Sequence, residues 1–293
     1  MNGKVLIADE VATNRIALKV KLGAAAFSPV LATSGEECLR LAQTDKPDLI
    51  ILDVNLGDIS ADQVLARLRL AADTRDIPVL VLSSSNCEVQ RKQMFAAGAD
   101  EVFAKPVDEQ VLQSRLRNLL RRRQEWADLA HNAEQGLIGF AEAESEFASP
   151  GTVAIVTDFP EVGLKLRRAL SGELRDQCLV LTCAEALQDF DAPQSRSDVF
   201  VVHGYGTGPD AHLSLLSALR SRAASRHAGI ILISDDLPQG NRGIGYDLGA
   251  DAVVGPQISA SELALRIRQQ MRAKRRTDQR RERIQAGLRL AGS

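Results

Sequence analysis

Short apolar runs alternate with longer amphipathic segments along the chain. In the first half, the apolar runs predict five strands: Val5–Asp9, Pro29–Ala32, Asp48–Asp53, Pro78–Ser83 and Glu101–Lys105. The third and fourth runs lack polar alternation, which is typical of central parallel strands covered on both faces. The segments between the runs predict five helices: Asn14–Leu22, Gly35–Gln43, Ala61–Ala71, Asn86–Ala97 and Asp108–Arg123. This alternation predicts a doubly wound α/β domain on a parallel sheet.

The second half repeats this order. The segment GADEVFAKPVDEQVLQSRLRNLL from Gly98 is echoed by GADAVVGPQISASELALRIRQQM from Gly249. The strands predicted there are Thr152–Val156, Cys178–Thr182, Asp198–His203, Gly229–Ser234 and Asp251–Gly255. A repeat of this length indicates tandem domains, because the units of solenoid proteins are only tens of residues long. We therefore predict domains at 1–123 and 151–273, a linker at 124–150 that is helical at its start, and a basic helix at 274–293.

The composition narrows the class of protein. The 293 residues carry 36 basic and 38 acidic side chains, a balance that does not favour a nucleic-acid or membrane-surface protein. The four cysteines show no metal-binding spacing and are expected to be reduced thiols. The N-terminus shows no signal-peptide pattern, and no apolar run reaches the length of a membrane span. These features predict a cytoplasmic protein with no membrane partner.

Polar side chains that carry chemistry stand where the predicted strands end. Asp9 and Glu10 follow the first strand, and Asp53 ends the third. Carboxyl ends of parallel strands meet at one edge of the sheet, so these carboxylates are expected to converge and repel one another. Mg²⁺ relieves such repulsion and binds carboxylates together with phosphate oxygens. With the Ser83 hydroxyl and the Lys105 ammonium nearby, the set predicts capture of a phosphoryl group by Asp53 as nucleophile.

This pattern resembles the receiver domain of two-component response regulators, which has a flavodoxin-like (CheY-like) fold. The resemblance implies two tandem receivers, each a five-stranded parallel sheet with helices on both faces. It implies Asp53 as phosphoacceptor, Ser83 as switch hydroxyl and Lys105 as the phosphate-binding lysine. The implied Mg²⁺ ligands are Asp9 acting through water, Glu10, Asp53 and the backbone carbonyl of Asn55. The implied phosphoryl donor is a histidine kinase or a phosphotransfer protein.

One position in the first domain departs from the family pattern. Receivers usually carry Tyr or Phe three residues before the lysine, whereas this chain has Val102 there and Phe103 next to it. We therefore expect the aromatic flip of the signal relay to be absent or altered.

The second domain keeps the order of strands and helices but not the residues of the candidate site. Its degenerate equivalents of the site are Asp158, His203 at the acceptor position, Ser234 at the hydroxyl position and Gly255 at the lysine position, followed by Pro256. Without an acceptor carboxylate and a lysine, it is expected neither to bind Mg²⁺ nor to be phosphorylated. We predict a pseudo-receiver that acts as an adaptor.

The order of active receiver, pseudo-receiver and basic helix resembles PleD-type response regulators, in which a GGDEF diguanylate cyclase domain follows. The resemblance implies a homodimer on phosphorylation and synthesis of cyclic di-GMP by an output domain expected beyond Ser293. Alternatively, the chain acts without an output domain, through protein–protein interaction. Between Arg272 and Arg283 there are seven basic and two acidic side chains, but without aromatic interleaving they do not favour nucleic-acid contact.

Overall fold

A computed structural model of the chain describes residues 3–134, 150–188, 197–204, 209–222, 225–234 and 242–291. The chain divides into two compact units, Met1–Arg123 and Gln124–Ser293. Positions 135–149 of the predicted linker lie outside the described residues. In the part of the chain that is described, no helix combines the length and apolarity needed to cross a membrane.

The first unit is a parallel sheet flanked by helices. Its strands are β1 (Lys4–Ala8), β2 (Ser28–Ala32), β3 (Leu49–Asp53), β4 (Val79–Ser83) and β5 (Glu101–Ala104). Its helices are α1 (Ala12–Ala24), α2 (Gly35–Thr44), α3 (Ala61–Leu70), α4 (Glu88–Ala97) and α5 (Glu109–Glu134). All pairs are parallel, and the strand order is β2-β1-β3-β4-β5. This order confirms the predicted flavodoxin-like fold.

The two central strands, β3 and β4, are apolar up to their last residues because both of their faces are covered. Successive strand residues point to opposite faces, so Ile50 and Leu52 pack with α2, α3 and α4, whereas Leu49 and Ile51 pack with α1 and α5. Every residue of β3 and β4 is buried. Full burial of an aliphatic side chain stabilises a fold by about 1.5–3 kcal/mol, so these strands anchor the unit.

Helix α5 continues from the first unit into the predicted linker. The apolar spacing of the helix continues past Arg123, and the helix runs without a break to Glu134. The added segment contains neither glycine nor proline and is rich in good helix formers, so nothing in it ends the helix. The start of the linker is therefore helical, as predicted.

The second unit repeats the architecture. Its strands are β6 (Thr152–Val156), β7 (Gln177–Leu181), β8 (Val199–His203), β9 (Gly229–Ile233) and β10 (Ala252–Val254). Its described helices are α6 (Pro160–Ser171), α7 (Cys183–Gln188), α8 (Pro209–Ser221), α9 (Arg242–Asp247) and α10 (Ala260–Ala291). The sheet order β7-β6-β8-β9-β10 has the same connectivity as the first unit. The prediction of a second flavodoxin-like domain is confirmed.

Matching hydrogen bonds align the two units residue by residue. The Asp100 Oδ2 atom accepts the backbone amide of Val79 at 2.8 Å, and the Asp251 Oδ2 atom accepts that of Ile230 at 2.8 Å. Val79 and Ile230 begin the equivalent stretches of β4 and β9. The two carboxylates therefore define one common register for the last two strands of both sheets.

Candidate functional site

Two buried carboxylates and one lysine meet at the carboxyl edge of the first sheet. Asp9 follows β1, Asp53 ends β3, and both are nearly inaccessible, at 2% and 4% exposure. The Lys105 Nζ atom, just after β5, lies 3.1 Å from Asp9 Oδ2 and also bonds Asp53 Oδ2. Burying two carboxylates is costly unless a cation pairs with them. The lysine therefore bridges two charges that would otherwise repel.

The lysine is held in its protonated form by these partners. Removal from water on its own would lower the pKa of Lys105, but hydrogen bonds to Asp53 and Asp9 outweigh that effect and raise the pKa above its ordinary value. The ammonium therefore stays charged at neutral pH, which suits it to pair with an anionic group.

The Asp9 carboxylate is oriented by neighbours that follow it in the sequence. Its Oδ1 atom accepts the Val11 amide at 2.8 Å, and its Oδ2 atom accepts the Asn14 side-chain amide at 3.0 Å. Arg15 donates to the backbone carbonyls of Asp9 and Glu10 at 2.6 and 2.8 Å. Sequence reasoning missed Asn14 and Arg15, although their place on the first turns of α1 is the signal that would have found them.

Glu10 is exposed and lies over the loop that follows β3, which we call the acceptor loop. Gly57 has a φ of +77°, and a Cβ atom built there would stand 2.5 Å from Glu10 Oε2. Glycine is the residue that adopts this backbone region without strain and leaves that space open. The carboxylate of Glu10 therefore reaches the acceptor loop because position 57 has no side chain.

The acceptor loop is tied down at both ends. Asn55 donates its backbone amide to Asp53 Oδ1 at 2.7 Å. Asp58 accepts the amides of Gly35 and Glu36, at 2.8 and 2.9 Å, and so caps α2. Removal from water would raise the pKa of Asp58, yet these backbone hydrogen bonds hold it well below its ordinary value. The loop that carries Asn55 is thus fastened to a neighbouring helix.

Ser83 is buried at the end of β4, but its hydroxyl is engaged with the segment that follows it. The Oγ atom lies 2.9 Å from the Ser85 carbonyl and 2.7 Å from Gln90 Oε1, and it accepts the Ser85 amide at 3.0 Å. Within the described residues it makes no hydrogen bond to Asp53 or to the Lys105 side chain. The structure thus brings Asp9, Asp53 and Lys105 together and leaves the predicted hydroxyl turned towards α4.

The residues present suit a magnesium ion better than a transition metal. No three His, Cys, Asp or Glu side chains of the described chain are grouped closely enough to hold a metal by themselves. Mg²⁺ binds through only one or two carboxylates and keeps several waters. Asp9 and Asp53 supply such a pair of hard oxygen ligands, and their charges already require a cation. The donor set therefore fits Mg²⁺.

The equivalent edge of the second sheet has a different chemistry. Thr157 stands where the first unit has Asp9, and His203 stands where it has Asp53. The Thr157 Oγ1 and His203 Nδ1 atoms are 3.4 Å apart, and the Phe159 ring meets the imidazole edge-to-face with centroids 6.4 Å apart. Burial lowers the pKa of His203 and favours its neutral form. Asp158 accepts the amide of Cys183 at 3.0 Å and so caps α7.

The strand register corrects the predicted lysine position of the second unit. The register pairs Leu82 with Phe103 in the first sheet and Ile233 with Val254 in the second. Counting on from these pairs, Gly255 corresponds to Ala104, and Pro256 corresponds to Lys105. The local likeness of Gly-Pro to Lys-Pro placed Gly255 one position wrong. Ser234 does correspond to Ser83, and its buried hydroxyl has no partner among the described residues.

The chain is similar to response regulators over its first unit and, in one case, over nearly its whole length. The response regulator receiver domain family matches residues 5–117. The response regulator PleD of Caulobacter vibrioides is 27% identical over 99% of this chain, which spans 64% of that protein. The response regulator MprA of Mycolicibacterium vanbaalenii is 34% identical over 41% of this chain and 51% of its own length. A putative response regulator structure from Chloroflexus aurantiacus is 31% identical, covers 41% of this chain and 99% of its own, and has a TM-score of 0.40. Residues 5–117 thus carry a response regulator receiver domain, and the likeness to PleD together with the two parallel five-stranded sheets supports a PleD-type tandem receiver arrangement.

Proposed function

We propose that Asp53 accepts a phosphoryl group from a phosphohistidine of a histidine kinase or phosphotransfer protein. The observation that carries this proposal is the buried Asp9–Lys105–Asp53 cluster at the carboxyl edge of the first sheet. The Lys105 side chain is still 25% exposed, so it can reach an incoming phosphoryl group, which needs a cation there.

The chemistry follows from the arrangement of side chains. An Asp53 carboxylate oxygen forms a bond to phosphorus as the bond between phosphorus and the donor imidazole nitrogen breaks. The electron pair of that bond stays on the imidazole, which then takes up a proton from water. Lys105 follows the developing charge onto the phosphoryl oxygens, while the Asn55 amide and Asn14 keep the two carboxylates oriented. Glu10, Asp53 and the Asn55 carbonyl, with Asp9 acting through water, would hold a Mg²⁺ ion, which would supply further positive charge beside the phosphoryl oxygens.

The second unit serves as an adaptor in this proposal. At the positions of Asp9, Asp53 and Lys105 it has Thr157, His203 and Pro256, so it has neither the acceptor nor the cation. Its frame remains intact, which leaves its surfaces available for packing. Phosphorylation of the first unit is expected to change how the two units pack and to favour a homodimer.

The output proposed for the whole protein is a diguanylate cyclase domain that makes cyclic di-GMP from GTP. The support is the likeness to PleD over nearly the entire chain and the basic helix α10 at its end. In this scheme dimerisation of the regulatory units brings two cyclase domains together. The competing scheme, in which the tandem receivers act only by binding another protein, differs in not requiring self-association.

The test compares sedimentation and ligand binding of the full chain with Mg²⁺, with and without beryllofluoride as a phosphoryl mimic. The variants are Asp53→Asn and, as a matched control, Asp73→Asn, which changes an exposed carboxylate away from the site. Binding by the wild type and by Asp73→Asn, but not by Asp53→Asn, supports the acceptor assignment. A shift from monomer to dimer on binding supports the cyclase scheme, and binding without assembly favours the interaction scheme. No binding by the wild type would overturn the proposal.

A further inference from the structure

The switch hydroxyl of the first unit is attached to helix α4 by one glutamine. Gln90 lies on the first turn of α4, half-buried, and its Oε1 atom is 2.7 Å from Ser83 Oγ. Neither the strand-end pattern nor the receiver resemblance singles out this residue. The contact joins the end of β4 to a helix that packs on β5 and α3.

The hydroxyl cannot keep this contact and also serve a phosphoryl group. A serine hydroxyl has one proton to donate. Ser83 is 1% exposed, and in the structure both acceptors in reach of its proton, the Ser85 carbonyl and Gln90 Oε1, lie in the segment after β4. Donation to a phosphoryl oxygen on Asp53 therefore requires the Ser83–Gln90 contact to break.

The usual aromatic residue is missing from its position on β5, which gives the glutamine contact more importance. The β5 position that commonly bears Tyr or Phe holds Val102, a buried aliphatic side chain at 4% exposure. Val102 belongs to the core with Met94 and Phe95 of α4 and cannot swing out as a polar-tipped ring does. The Ser83–Gln90 contact directly connects the end of β4, beside the acceptor strand, to α4.

We infer that Gln90 is a positioning residue that restrains Ser83 away from Asp53 and transmits phosphoryl capture to helix α4. This inference rests on the proposed function of Asp53. In the unphosphorylated protein the contact holds the hydroxyl back and fixes the first turn of α4. When Ser83 turns to the phosphoryl group, Gln90 loses its partner and that turn is released.

The test is a pair of substitutions on the same helix, in the full chain with Mg²⁺. Gln90→Met keeps the length and helix propensity of the side chain but removes the acceptor. It should bind beryllofluoride about twofold to tenfold more tightly than the wild type, since one net hydrogen bond no longer has to be broken. The control is Gln93→Met, one turn on, where the side-chain amide contacts Asp62 at 3.3 Å; its affinity should equal that of the wild type.

The Ser83→Ala background separates a restraint on the hydroxyl from a general effect on helix α4. There is no hydroxyl to restrain in that background, so adding Gln90→Met should leave the affinity for beryllofluoride unchanged. An equal gain with and without Ser83, or no gain in Gln90→Met alone, would overturn the inference. If the wild type itself fails to bind, the proposed function falls first and the inference with it.

A measurement on the wild type needs no variant. The side-chain amide resonances of Gln90 should shift on addition of beryllofluoride, because its partner leaves, whereas those of Gln93 should stay in place. Unmoved Gln90 resonances in a protein that binds the mimic would also overturn the inference.

Discussion

Arg69 and Arg220 occupy equivalent positions in the two units and make the same contacts. Each guanidinium ties the turn after the fourth helix of its unit to the loop before the fourth strand. The Arg69 partners are the carbonyls of Arg75, Ile77 and Gly98 and the carboxylate of Asp100, at 2.7–3.0 Å. The Arg220 partners are the carbonyls of Arg226, Ala228 and Gly249 and the carboxylate of Asp251, at 2.7–2.8 Å. We call each of these sets of hydrogen bonds an arginine clamp. The second unit has therefore kept its clamp, although the residues at the carboxyl edge of its sheet have changed.

Removing either clamp should destabilise its own unit. Arg69→Met and Arg220→Met keep the aliphatic stem but take the guanidinium donor away from three carbonyls and from a carboxylate, which keeps its backbone amide donor. We expect a loss of about 2–4 kcal/mol in the free energy of unfolding, measured by amide hydrogen exchange in the affected unit. The control is Arg67→Met, which breaks an exposed pair with Glu36 and should cost less than about 1 kcal/mol. Equal effects of Arg67→Met and Arg69→Met would contradict the clamp.

Lys105 should make the first unit sensitive to alkaline pH. Its pKa is raised in the folded state above the ordinary 10.5. The folded protein therefore binds this proton more tightly than the unfolded chain, and the stabilisation is complete below pH 10.5. It is lost as pH rises through the folded value. The stability difference between the wild type and Lys105→Met, followed by urea unfolding, should shrink over that alkaline range. A constant difference would show that the ion pairs contribute nothing.

His203 should make the second unit sensitive to mild acid. Its folded pKa lies below the ordinary 6.5 because burial disfavours the charged imidazole. As pH falls below 6.5, the unfolded chain binds this proton before the folded chain does, so stability is lost with falling pH until the folded pKa is passed. His203→Gln should lose less stability than the wild type between neutral and mildly acidic pH. NMR titration of the imidazole checks the direction of the shift, and a midpoint above 6.5 would be incompatible with it.

Gly57→Ala should disturb the acidic edge of the first unit. The new Cβ atom would stand 2.5 Å from Glu10 Oε2, on a backbone with φ of +77°. We expect weaker Mg²⁺ binding by calorimetry and a stability loss of about 1–2 kcal/mol from the strained backbone. The matched control is Gly23→Ala in α1, where nothing lies within 4 Å of the new atom. It should stabilise the helix by about 0.5–1 kcal/mol and leave Mg²⁺ binding unchanged. Unaltered Mg²⁺ affinity in Gly57→Ala would remove Glu10 from the predicted ligands.

Much of this protein is determined by local sequence pattern. Strand β3 is a continuous apolar run that ends in Asp53, so both its burial and the place of its carboxylate follow from the order of residues alone. The parallel arrangement then brings Asp9 to the same edge, because strands that alternate with helices all point the same way. The sequence also shows that the second site has no lysine. It does not show which residue of the second unit corresponds to Lys105.

Only the tertiary structure decided which residues lie at those strand ends and which side chains contact them. Pro256 rather than Gly255 takes the place of Lys105 because register is set by pairing between strands, which Asp251 fixes from outside the motif. Gln90 has no distinctive pattern in the sequence, and it matters because the first turn of α4 places it 2.7 Å from Ser83. Periodicity along a chain reports which face of an element is buried. Which polar side chains meet across elements depends on how those elements pack, and only the folded chain specifies that.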